Sequence, residues 1–282
     1  MTEATAPPGR PLDGPIDGSG TDRARCVLAP NPSGMTLDGT NTWIVAEPGS
    51  DLAVVVDPGP LDEGHLRNVV ESVARDGRRV GLTVLTHGHP DHSDGVARFA
   101  ELTGAPVRAV DPAYRHAGAD GEGGGGLAAG DVITTGGLEL RVVPTPGHTA
   151  DSVCLHLPAD GALLTGDTVI GRGTTVVAHP DGRLGDYLDA LRLLRSLAAD
   201  EGVRTLLPGH GPVLSDALGV VEFYLAHRAN RLAQVETAVE NGHRTAPEVV
   251  AHVYADVDRT LWPAAEMSVR AQLDYLDEHG LT

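Results

Sequence analysis

The sequence predicts an α+β chain in which two β-sheets pack face to face between outer helices. Three observations predict it. Short apolar runs recur along the first three quarters of the chain, each closed by a glycine or proline turn. Stretches with apolar residues at helical spacing alternate with several of these runs. The last quarter carries helical pattern alone.

Residues 1–22 are rich in Pro, Gly and small polar residues, and read as a disordered tail. They lack the basic start and apolar segment of a secretory signal. RARCVLAPNPSGMTLDGTNTWIV, residues 23–45, reads as strand-like runs broken by turns. DLAVVVDPG, from Asp51 to Gly59, is a buried strand with its turn. LDEGHLRNVVESVARDG places Leu66, Val69, Val70 and Val73 at helical spacing and ends at Gly77. RVGLTVLTH is the next strand. DHSDGVARFAELTG puts Val96, Phe99 and Ala100 on one helical face, closed by Gly104, and PVRAV returns as a strand. The glycines at 123–126 do not precede a helix as a phosphate loop must, so residues 117–131 read as a surface loop. DVITTGGLELRVVPTPGHT and SVCLHLPADGALLTGD read as meandering strands. LGDYLDALRLLRSLA is an amphipathic helix, and VRTLLPGHG a strand ending in a glycine-flanked histidine. Length suits one large domain plus a small one, here a larger unit over 23–215 and a helical unit over 216–282.

The formal net charge is -18, and all 21 basic residues are arginine. Nucleic-acid binders show a basic footprint, which this chain lacks globally, although net charge leaves a local groove open. No stretch reaches membrane-spanning apolar length. Two cysteines, Cys26 and Cys154, make no disulfide framework, and the cytoplasm is the expected compartment.

The segment LTVLTHGHPDHSDG crowds His87, His89 and His92 around Asp91 directly after an apolar run. A solvated loop has no use for that density, whereas a metal does. Residues two apart on extended chain point to one side, which pairs His87 with His89. Further donors stand at other strand ends: His148 in PTPGHT, Asp167 in LLTGDT and His210 in LLPGHGP. Five histidines and two aspartates are about what two divalent ions require when one carboxylate bridges. Oxygen and nitrogen donors suit zinc best, with iron or manganese compatible.

THGHPDH, PGHT, TGD and PGHGP together resemble the signature of the metallo-β-lactamase superfamily. The resemblance implies a four-layer αβ/βα sandwich with the metals at one edge. It implies that His87, His89 and His148 hold one metal, that Asp91, His92 and His210 hold the second, and that Asp167 bridges. A narrower resemblance, carried by PNPSGMTLDGTNTWIV, GDTVIGRGTTVV and FYLAHRANRLAQVETAV, is to the β-lactamase-like protein 2 group, with glyoxalase II-type and acyl-carrier-protein thioesterases as relatives. The tail from Thr245 resembles that group's small winged-helix-like domain. Two positions depart from the group's pattern: Asp94, where glycine is usual, and Ser152, where histidine is common.

A water shared by two cations becomes hydroxide near neutral pH and can attack a carbonyl or phosphoryl centre, with Asp91 orienting it. The expected activity is hydrolysis of an ester or thioester on a small or carrier-bound substrate. Cleavage of single-stranded RNA is the alternative, disfavoured by the charge and by an aromatic content of 3%. Weak β-lactamase or lactonase activity is a further alternative. Asp167 stands where the commonest zinc β-lactamases carry cysteine, which favours the thioesterase and phosphodiesterase branches. Thr40 and Asn41 read either as a turn or, through the resemblance, as residues near the site. His227 and Arg228 read either as a solvated helix face or as cationic substrate contacts. The C-terminal unit reads as a cap on the pocket or a homodimer contact.

Overall fold

The computed structural model describes residues 19–281. Most of the expected tail therefore lies outside the described residues, but its last part does not: Ser19 is buried and its hydroxyl donates to Ala24 O at 2.5 Å. That contact ties the chain down five residues before its first strand is paired.

The first half builds one sheet. β1 (Ala24–Leu28), β2 (Asn41–Val45) and β3 (Leu52–Val56) pair antiparallel in turn. α1 (Glu63–Arg75) crosses over to β4 (Arg79–Val84), parallel to β3, and β5 (Val107–Arg108) adds at the edge, parallel to β4. Asp62 caps α1 by accepting from His65 N at 2.7 Å. The helix expected after His89 is two helices, α2 (Pro90–Ser93) and α3 (Val96–Thr103). They part at Gly95, where a Cβ would lie 2.7 Å from Gly59 O, so the chain is pressed against the turn after β3.

The second sheet runs β6 (Val132–Thr135), β7 (Leu138–Pro144), β8 (Val153–Leu157), β9 (Ala162–Gly166), β10 (Thr205–Pro208) and β11 (Leu214–Ser215). These six lie side by side in chain order, antiparallel except for β9 and β10. The parallel pair needs a crossover, which α4 (Leu184–Asp200) supplies.

Alternation along the strands sets the layers. Trp43, Val45, Val54 and Val56 face Leu140, Val142, Leu155 and Leu164 between the sheets. Ile44 and Val55 point the other way, under Leu66 and Val69 of α1 and Phe99 of α3. Leu163 and Leu206 point outward beneath Tyr187 and Leu191 of α4. The result is the four-layer αββα order expected from the sequence.

α5 (Ala217–Glu240) spans two cores. Its Val220, Val221 and Tyr224 pack on the second sheet, while Val235, Ala238 and Val239 pack with α6 (Ala246–Val253) and α7 (Trp262–Glu278). Among the described residues no strand follows Ser215, so the C-terminal unit is helical throughout. No helix is long and apolar enough to cross a membrane.

Candidate metal centre

Each of the seven expected donors follows a strand end at one rim. His87, His89, Asp91 and His92 follow β4, Asp167 follows β9, His210 follows β10, and His148 lies in the turn joining β7 to β8. The structure gathers them into two adjoining groups. In the first, His87, His89, His148 and Asp167 bring one donor atom each within 4.8 Å of one another; in the second, Asp91, His92 and His210 do the same.

The tautomers are set from behind. His148 Nδ1 donates to Val176 O at 2.8 Å, His210 Nδ1 to Gly39 O at 3.1 Å, and His92 Nδ1 to the Asp57 carboxylate at 2.9 Å. His87 Nδ1 lies 3.0 Å from Thr86 Oγ1, which donates to Asp57 at 2.7 Å. In its neutral form each of these four rings thereby turns an Nε2 lone pair inward. His89 turns Nδ1 inward, 3.1 Å from both His87 Nε2 and His148 Nε2. His92 Nε2 and His210 Nε2 face each other at 3.2 Å. Lone pairs this close repel unless a proton or cation lies between them.

Asp167 stands between the groups. Its Oδ2 is 3.7 Å from His148 Nε2 and 3.2 Å from His210 Nε2, while Oδ1 is 3.5 Å from His92 Nε2. Oδ1 is buried with no hydrogen-bond partner. Asp91 Oδ2 lies 3.1 Å from His210 Nε2 and 3.4 Å from His92 Nε2. An orphaned carboxylate oxygen among inward imidazole nitrogens fits a divalent cation, and the N/O donor set matches one chemically. Gly209 makes the approach sterically feasible: a Cβ there would sit 2.5 Å from Asp167 Oδ1 and 2.8 Å from His92 Cε1.

The titration behaviour divides the rings. Burial, then a charged His92 nearby, pushes His87 well below its ordinary value. Burial lowers His148 to about 4 against the pull of Asp167. Both rings are neutral at physiological pH. For His210 burial is outweighed by Asp167 and Asp91, which raise it to about 9, and Asp167 with Asp57 likewise raises His92 against its burial. The aspartates stay ionised despite burial, Asp91 at about 2 and Asp167 well below the carboxylate range, because His210 and His92 face them. A cation held by the second group would compete with protons for its nitrogens and release them on binding.

The remaining sequence candidates separate. Thr40 Oγ1 donates to Asp91 Oδ2 at 3.1 Å and so abuts the centre. Asn41 is fully buried, and its Nδ2 donates to Pro208 O and Gly211 O, each at 2.9 Å. Its carboxamide braces the His210 loop and faces no substrate space. His227 and Arg228 line a cavity of about 370 Å³ that reaches His148 and Asp167. Arg228 is 7% exposed, which removes it from the solvated face that helical spacing allowed.

Sequence reasoning missed Asp57. It is 2% exposed, has φ +53°, and accepts from Thr86 N, Thr86 Oγ1 and His92 Nδ1. Its only signal was an acid closing an apolar strand before Pro-Gly. Tyr187 and Tyr224 were also missed. Their buried hydroxyls donate to Thr168 O at 2.7 Å and Ile170 O at 3.2 Å, pinning the strap that follows Asp167.

A four-layer sandwich with a convergent His/Asp cluster at one rim defines a hydrolase with a metal-binding site. Residues 35–210 match the family model of the metallo-beta-lactamase superfamily, and the chain belongs to that superfamily. Residues 245–282 match the beta-lactamase associated winged helix domain. The chain is 30% identical over 272 residues to a beta-lactamase-like protein 2 homolog of Drosophila melanogaster, covering 90% of this chain and 87% of that one. It is 34% identical over 228 residues to an atrochrysone carboxyl ACP thioesterase of Aspergillus fumigatus, covering 77% and 65%. Among solved structures, a beta-lactamase domain protein from Burkholderia ambifaria superposes with a TM-score of 0.77 at 23% identity, covering 96% of this chain and 92% of that one.

Proposed function

We propose that this chain hydrolyses esters or thioesters of small or carrier-bound acyl groups with two divalent cations, zinc foremost. One observation carries the reading: seven donors gather in two adjoining groups, and two of them, His148 and Asp167, line a largely apolar cavity. His87, His89 and His148 would hold one cation, Asp91, His92 and His210 the other, with Asp167 shared. Such a pair supplies an acidified water and a positive field for the substrate carbonyl. The chain's own residues do the rest. Asp57, Val176 O and Gly39 O hold the imidazoles with their lone pairs inward. Asp91 accepts from Thr40 and is the carboxylate placed to take and return a proton. The cavity's apolar wall, including Ile170, Val176 and Val257, excludes water from the acyl group. Thioesterase names among the relatives support the carbonyl branch over the phosphodiester one.

The test is a panel of acyl thioesters, lactones, nitrocefin and single-stranded RNA on zinc-reconstituted protein, with metal content measured in parallel. Turnover of thioesters that tracks metal content is expected. RNA cleavage abolished by Asp91→Asn, with thioesters untouched, would replace this reading with the nuclease one.

A further inference from the structure

The cavity beside the metal centre has a charge pattern that the proposed reaction leaves unexplained. Its walls come from Gly34–Leu37, the strap at 170–176, α5 and the C-terminal helices. Three arginines line it, and the sole acid there is Asp167, which belongs to the cluster. In a chain of net charge -18 this is a local reversal of sign.

The arginines are not equivalent. Arg172 is paired with Asp38 at 2.7 Å. Arg231 lies over the Tyr254 ring at 4.7 Å and donates to Gln234. Arg228 is the buried one. It donates to Thr175 O, and its guanidinium carbon stands 5.1 Å from the Tyr187 ring centroid. Its Nε is buried with no partner, and among the described residues it makes no ion pair with a carboxylate. A guanidinium removed from water without a counter-charge is costly, and an anion arriving in the cavity offsets that cost. Next to it His227 presents a buried Nδ1 that also has no partner.

The location fixes where on the substrate that anion lies. Thr175 accepts from Arg228 through its carbonyl and donates from its hydroxyl to Asp167 O, and Val176 O holds His148. The guanidinium therefore shares one short strap with two of the proposed metal ligands. A charge it binds belongs to the acyl part held in the apolar cavity, near the scissile carbonyl. We propose that the substrate is an acid-bearing acyl thioester or ester, an apolar acyl group whose own carboxylate is bound by Arg228. This rests on the hydrolase reading above and adds the class of acyl group.

The experiment uses zinc-loaded full-length protein and thioesters from succinyl to suberyl, each against the straight-chain acyl group of equal length. Both series are made on N-acetylcysteamine, which is uncharged, and on coenzyme A, which carries phosphates. A charge-assisted contact predicts that kcat/KM favours the acid-bearing member by about ten- to a hundredfold at the best length. The preference should hold on both carriers. Arg228→Gln should bring the ratio close to one, and Arg228→Lys should keep part of it. Calorimetry gives a readout without turnover: adipic acid monoamide should bind wild-type protein more tightly than hexanamide does, and lose that advantage in Arg228→Gln. If the Gln variant does not fold, the wild-type ratio and the Lys variant still decide. Equal kcat/KM for acid-bearing and neutral acyl groups would overturn the proposal, leaving the hydrolase reading intact. So would a dependence on Arg228 confined to coenzyme A, which would assign the anion to the carrier. Absence of all thioester turnover with metal bound, or cleavage of single-stranded RNA alone, would overturn the hydrolase reading itself.

Discussion

Asp57→Asn isolates the device that aims His92. The wild-type carboxylate accepts three hydrogen bonds: from Thr86 N and Thr86 Oγ1 at 2.7 Å each, and from His92 Nδ1 at 2.9 Å. Asparagine preserves volume and tolerates the left-handed φ of +53° at this position. Its carboxamide retains one accepting oxygen, which Thr86 N can keep. The other position becomes a donor facing His92 Nδ1, which must then give up its proton. The proton moves to Nε2 and occupies the lone pair that points into the cluster. Loss of such a partner costs roughly ten- to a hundredfold in metal affinity, or about 1.4–2.7 kcal/mol. His87 is reached from Asp57 through Thr86, one hydrogen bond further away, so its group should weaken less. A chromophoric chelator in competition with the protein reads both affinities, and thermal melting of the metal-free variant checks the fold. Two affinities within twofold of wild type in a normally folded variant would refute the tautomer argument.

Other perturbations follow from the same geometry. Asp167→Ala removes the carboxylate between the groups and should strip most metal from both, as read by elemental analysis; full retention would show that Asp167 bridges nothing. Gly209→Ala drives a Cβ against Asp167 Oδ1 and should lower metal content about tenfold or more while leaving the metal-free fold assembled, by mass spectrometry and circular dichroism. His227 is pushed down to about 4 by burial first and by Arg228 and Arg231 next, from an ordinary 6.5. The unfolded chain thus takes up this proton at higher pH than the folded one. The stability difference between wild type and His227→Gln should be flat above pH 6.5, and wild type should lose ground as pH falls toward 4. A difference independent of pH across that window would show the imidazole to be free to titrate.

The proposed ligands were legible because each is local. A strand end, a turn glycine and a histidine or aspartate are neighbours in sequence, so seven positions could be collected without knowing how the sheets pair. Their supports were not legible. Val176 O and Gly39 O are backbone carbonyls with no side-chain signature, and Asp57 lies 35 residues before the ring it orients. Asn41 carried a turn-like sequence, yet its partners at Pro208 and Gly211 are reached only when β2 meets the His210 loop. The single helix expected across Gly95 became two because Gly59 O presses on that glycine, a tertiary contact that periodicity does not encode. The layer order was readable from alternation. The burial of Arg228 was not, since helical spacing alone leaves a polar residue on either face until its neighbours are known.

The sharing of α5 between two cores bears on how the molecule melts. Its 24 residues form a continuous rod of about 36 Å, with no proline or glycine between Val220 and Glu240 at which it could bend. Ala271 of α7 also reaches back onto the second sheet's outer core. The C-terminal unit therefore cannot come loose without exposing part of the catalytic sheet, and the sheet cannot open without fraying the rod. Calorimetry should show one endotherm whose van't Hoff and calorimetric enthalpies agree, and amides of α5 should exchange with solvent at the rate set by global unfolding. Substitutions far from any ligand, such as Val235→Ala, would then lower the melting temperature of the whole chain rather than that of its C-terminal helices alone.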